Sequence, residues 1–256
     1  MHEAFPVASL VGALILALVY VLRGGAGESG FSGRFWARRL WVSVAAGVSV
    51  AYVFVDVLPE LAEQNHRLRE GVGEHGLAFA DHRIYLLSLL AFVVIYGLDH
   101  IVLAARQGAH EHTATPHVAE RDAVWWLHVG GFSLYSALIG YLLVERAEQG
   151  HAALAVYVLA MAVHFIIVNH SLAEEHGQSY RSVGHWLPAL GVLLGWAGGL
   201  LAPLSPEVFA RVFALLAGGI VITSLKTELP DGDRGRFLPF LAGAAGFTAL
   251  LLLAAA

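Results

Sequence analysis

His170 and Glu174 stand four residues apart in a long apolar stretch that also carries His164 and Asn169. A four-residue spacing puts two side chains on one face of a helix. Imidazole and carboxylate together suit zinc, iron or manganese. A neighbouring apolar stretch holds His128, then Ser133, Tyr135 and Ser136. Two others carry Tyr52 with Asp56, again four apart, and the pair Asp99-His100. Histidine and carboxylate in apolar surroundings are costly and usually functional. Placed by depth along their segments, these groups form a ladder: Asp56 at one end, Tyr135 and His164 midway, and His128, His170 and Glu174 at the other. Such a ladder is what an ion path requires, and the expected metal ligands are His170 and Glu174, then His164, His128 and Asp56. A plainer reading stands beside it. Asp99, His100 and Glu174 lie near segment ends and could reach lipid headgroups, and His128 follows Trp125 and Trp126, which resemble an interfacial aromatic belt.

The elements that must position these residues are membrane spans. The chain has 256 residues, 57% hydrophobic and 14% charged. One soluble core of this length could not bury so much apolar surface, whereas roughly 20 apolar residues make one spanning helix. The pattern predicts an all-α membrane protein with eight transmembrane helices, at about Ala4–Leu22, Leu40–Leu58, Ile84–Ala105, Val124–Val144, Ala152–Ala173, Val183–Ala202, Val208–Leu229 and Phe237–Ala255. Gly, Pro and charged residues punctuate the intervals, with Pro59 and Pro230 closing the second and seventh spans. The interval 106–123 reads as a loop bearing His110, Glu111, His112 and His117, a composition that binds metal loosely or simply solvates a linker. Cysteine is absent, which excludes disulfides, thiolate metal sites and cysteine nucleophiles. The net charge of −5 points to no nucleic-acid partner. Gly195, Gly198 and Gly199 permit close helix packing, within the chain or in a homodimer.

Met1, His2 and Glu3 give the first span no positive leader, so it reads as a retained helix with its N-terminus outside. Ten of the fifteen basic residues, Arg23, Arg34, Arg38, Arg39, Arg106, Arg121, Arg181, Lys226, Arg234 and Arg236, then fall inside. An even number of spans returns the C-terminus outside. The second span reads Ala46-Gly47 and, eleven residues on, Leu58-Pro59-Glu60; the seventh reads Ala217-Gly218 and, eleven residues on, Leu229-Pro230-Asp231. One offset aligns all of these, and the two spans run in opposite directions. That is the sign of an inverted repeat, as in many transporters.

These features resemble the ZIP family of divalent-metal transporters. The resemblance rests on the span count with both termini outside, the ending Asp56-Val57-Leu58-Pro59-Glu60, the histidine-bearing third loop and the second Leu-Pro-acidic run. It implies a 3+2+3 arrangement, with spans 1–3 and 6–8 as inverted repeats around spans 4 and 5. It also implies transport of a divalent metal, zinc foremost, with no resident cofactor and no enzymatic activity, in the lipid bilayer of a bacterial inner membrane. The chain departs from the family at the metal site. Where the family has His-Asn-x-x-Asp-Gly, this chain has Gly131-Phe132-Ser133-Leu134-Tyr135-Ser136. Where it has His-Glu-x-Pro-His-Glu, this chain has Ile166-Ile167-Val168-Asn169-His170-Ser171. The family's binuclear site therefore does not carry over. A reduced site around His170 and Glu174, joined by His164 or His128, is the expectation.

Three other readings compete. The ZIP fold could persist without metal transport. His128 opposite His170 could ligate heme. Gly131-Phe132-Ser133 with His164 as base could make an intramembrane serine hydrolase, although the tripeptide is common and its usual context is absent.

Overall fold

The computed structural model describes residues 4–24, 39–70, 82–111, 118–225 and 237–255. Eight helices fill them, and no strand occurs among the described residues. They are α1 (Ala4–Gly24), α2, α3 (Arg83–Glu111), α4 (Val118–Glu148), α5 (His151–Ser179), α6 (Trp186–Leu201), α7 (Pro206–Thr223) and α8 (Phe237–Ala255). α2 is one rod in three pieces: Arg39–Tyr52, a π-helical turn Val53–Val57, and Leu58–Glu70. Six segments are long and apolar enough to cross a bilayer, and Pro6–Leu22 and Trp186–Leu201 are shorter apolar helices. The protein is an all-α membrane protein, and exposed leucines such as Leu194, Leu201 and Leu253 give it the apolar outer surface a bilayer requires.

Several predicted boundaries move. Pro59 does not end α2. The π turn shifts the hydrogen-bond register just ahead of it, with the Leu58 N–H bonding Val53 O. Proline has no N–H to place in that ladder, and a π turn is a way to accommodate the change. The helix then runs on to Glu70. The expected loop 106–123 is largely helix: α3 continues to Glu111 and α4 begins at Val118. His112, His117 and the Leu229-Pro230-Asp231 run lie outside the described residues.

The helices pack in a pattern. α4 lies along α6, and α1 lies along α5 and α6; α2 pairs with α8, and α3 with α7. The core is built between them by Tyr20, Ile139, Leu142, Leu143, Met161 and Phe165, all essentially inaccessible. Gly47 and Gly218, the two residues aligned by the sequence repeat, occupy matching contacts. A Cβ on Gly47 would overlap the Phe240 carbonyl of α8, and a Cβ on Gly218 would overlap the Ser88 carbonyl of α3. Gly195 meets the Ala137 carbonyl of α4 in the same way, so that close approach is used within the chain.

Candidate metal centre

His128 projects from α4 into the junction of α3, α4 and α5, and is 1% exposed. Its Nδ1 lies 2.8 Å from His176 Nε2 and 3.2 Å from Glu175 Oε2. Its Nε2 lies 3.2 Å from Asp99 Oδ1 of α3. That second approach is close but out of line, so Nε2 has no hydrogen bond and is buried. Donor atoms of His128, Glu175 and His176 all fall within 4.8 Å of one another, close enough to share a metal ion. A small pocket lined by Asp99, His128, Phe132, Ser171, Glu175 and Thr223 adjoins the ring. It has room for about one water-sized sphere.

The cluster sits at the end of the regular part of α5. His176 is followed by Gly177 at φ 57°, ψ −133°, a break inside α5. Only glycine adopts this conformation cheaply. A π turn, Tyr180–Gly184, follows it. The break lies beyond Glu175 and His176, which are themselves helical; their side chains leave the helix about 100° apart, and both are long enough to reach His128 Nδ1. Ser171, one turn before, donates to Glu175 Oε1 at 3.2 Å and steadies the carboxylate. Phe132 packs edge-on to the His128 ring at 5.2 Å.

The electrostatics of His128 are unbalanced. A neutral imidazole carries one N–H. Carboxylates face both of its nitrogens, Glu175 on one side and Asp99 on the other. Whichever tautomer forms, one ring lone pair faces a carboxylate oxygen. On the Nδ1 side that lone pair can meet an N–H of His176 Nε2, 2.8 Å away, or a metal ion.

The residues expected from sequence distribute differently. His170 and Glu174 do share a face, with Nε2 and Oε1 3.3 Å apart, but their side chains are 50% and 67% exposed and look away from the cluster. His128 faces Glu175 and His176 instead of His170 and Glu174. His164 is buried at mid-depth, where its Nε2 meets the Tyr135 hydroxyl at 3.2 Å. The Tyr135 ring presses against the bare Gly219 of α7, so it joins α4, α5 and α7 across the middle of the bundle. Asn169 braces the fold: it accepts from Tyr180 at 2.7 Å and donates to the Tyr20 carbonyl at 3.3 Å. Asp56 is far from the cluster, in the π turn of α2. It pairs with Arg146 of α4 at 3.2 Å. Glu60 Oε2 stands 4.0 Å from the same guanidinium, which lies over the Tyr157 ring at 5.8 Å.

Two competing readings lose their geometry. His170 does not oppose His128, so the heme pair is not assembled. The Ser133 hydroxyl donates to Val129 O at 2.6 Å rather than to His164. Glu175 and His176 were not singled out from the sequence. The available signal was the Glu174-Glu175-His176 run, three possible ligands in succession just before Gly177. No protein-family model, curated protein or solved structure matches the chain.

Proposed function

We propose that the protein is a ZIP-like membrane transporter of divalent metal ions of the zinc, iron or manganese class. In this reading His128, Glu175 and His176 hold the ion near one end of its path. The observation that carries the reading is the convergence of two imidazoles and a carboxylate on one point beside a water-sized pocket in a membrane bundle. Intramembrane ligands of this kind mark ion pathways, and the donor set suits those metals rather than calcium or magnesium.

The packing supports the inverted repeat. Exchange α1 with α6, α2 with α7, α3 with α8 and α4 with α5. The α4·α6 contact becomes α5·α1, α2·α8 becomes α7·α3, and each of these pairs is present. The matching roles of Gly47 and Gly218 follow the same exchange. The packing also favours a grouping of α1, α4, α5 and α6 against the outer pairs α2·α8 and α3·α7. Movement between these groups would alternate access, as rigid repeats do in other transporters. Two polar contacts bridge the groups at opposite ends of α4: Arg146 to Asp56 of α2, and His128 to Asp99 of α3. Basic-residue placement favours the His128 end as the cytoplasmic one, with both termini on the other side.

Zinc uptake into proteoliposomes tests the proposal. The His128→Ala/Glu175→Ala variant is expected to lose uptake, and His170→Ala/Glu174→Ala to retain it. No uptake by the wild type, or equal uptake by the first variant, would overturn the assignment.

A further inference from the structure

We infer that Asp99 is a positioning residue of this centre. With a metal bound, its Oδ1, now 3.2 Å from Nε2 without a hydrogen bond, would accept the Nε2–H of His128 and commit Nδ1 to the metal, leaving His128, Glu175 and His176 as three protein ligands with a fourth position open. The inference rests on the metal reading above and goes beyond it in assigning each atom a role.

Two nitrogens of one ring point in different directions, so a single ion takes only one of them. Nδ1 has two donor atoms beside it, His176 Nε2 at 2.8 Å and Glu175 Oε2 at 3.2 Å. Nε2 has one, Asp99 Oδ1 at 3.2 Å. The hydroxyls that share the pocket are already committed as donors elsewhere. Ser171 donates to Glu175, and Thr223 to the carbonyls of Gly219 and Ile220. The richer side of the ring is therefore the Nδ1 side.

The same assignment suits both edges of the His128 ring. With the Nδ1 lone pair on a cation, the ring's single proton sits on Nε2 and faces the Asp99 carboxylate. Every neighbour of the ring then meets a complementary charge. Metal-bound histidines commonly donate their second nitrogen to a carboxylate in this way, which fixes the tautomer and the ring orientation. Asp99 comes from α3, whereas the three ligands come from α4 and α5. Occupancy of the site is thereby felt by the α3·α7 pair. Three protein ligands with an open position are also what an ion that must leave requires, since water can enter its shell.

Cobalt(II) titration of the purified protein in detergent tests this, read by d–d absorption and by competition with zinc. Asp99→Ala is expected to weaken binding on the order of 10–100-fold, with the band shape of the wild type kept. Asp99→Asn is expected to recover most of the affinity, because its amide oxygen accepts the same N–H. Glu175→Ala, which removes a ligand, is expected to change the band shape. A band change in Asp99→Ala like that of Glu175→Ala would make Asp99 a ligand and overturn the inference. Unchanged affinity in Asp99→Ala would also overturn it, as would an Asp99→Asn variant as weak as Asp99→Ala. Absence of cobalt and zinc binding by the wild type would instead refute the metal reading beneath it.

Discussion

Replacing Arg146 by glutamine tests the buried charge cluster at the end of α4 remote from His128. The Arg146 side chain is 9% exposed and that of Asp56 23%, with 3.2 Å between Nη2 and Oδ2. At that distance the gross attraction is about 5 kcal/mol with an effective dielectric constant of about 20. Desolvation offsets part of it, and loss of Arg146 leaves the half-buried Asp56 carboxylate without its counter-charge; breaking a fully buried pair costs about 3–5 kcal/mol, and the partial exposure of Asp56 sets the expectation at the low end. Arg146 also donates to Gln149 Oε1 at 3.0 Å, and Glu60 shares its charge. We expect Arg146→Gln to destabilise the fold by about 3 kcal/mol. In Asp56→Asn/Arg146→Gln the two effects should fall short of additivity by about 2 kcal/mol. The assay is reversible unfolding in mixed micelles with SDS, followed by fluorescence of the six tryptophans. His128 and Arg146 are 18 positions apart on α4, about 27 Å along a helix. Cobalt affinity at the His128 site should therefore be unchanged. A cost below about 1 kcal/mol, or strict additivity in the double variant, would refute the view that this pair is a buried, coupled contact between α2 and α4.

Gly177→Ala forces a side chain into φ 57°, ψ −133°; we expect about 1–3 kcal/mol of destabilisation in the same micellar unfolding assay, and wild-type stability in this variant would refute the view that the break needs glycine. Gly218→Leu must push α7 from the Ser88 carbonyl of α3, so loss of folded protein in detergent is expected, and Gly47→Leu should be equally damaging against α8. The chain lacks cysteine, so Val57→Cys, buried beside Asp56, is expected to resist an impermeant thiol reagent in the wild-type background and to react once Arg146→Gln is added; equal labelling in both backgrounds would argue that the pair does not close that end.

Composition and hydropathy were enough to place this chain in a membrane and to locate its helices, because hydrocarbon imposes a minimum apolar length on any span and tolerates little else. Periodicity correctly paired His170 with Glu174, and Tyr52 with Asp56, since a helix fixes the angle between its own residues. The alignment of Gly47 with Gly218 was visible for a similar reason: small residues at one offset record two similar close approaches. What a lone helix leaves open is its rotation about its own axis. Packing of α4 against α6 and of α5 against α1 decided that rotation. It turned His170 and Glu174 outward and brought Glu175 and His176 onto His128. Asp99 joined them from a helix whose neighbour no local spacing could reveal. The sequence by itself determined an all-helical chain with segments long and apolar enough to cross a bilayer. Only the tertiary structure decided which of their polar residues meet, because ligation depends on distances between helices, and these are set by side-chain packing across the bundle.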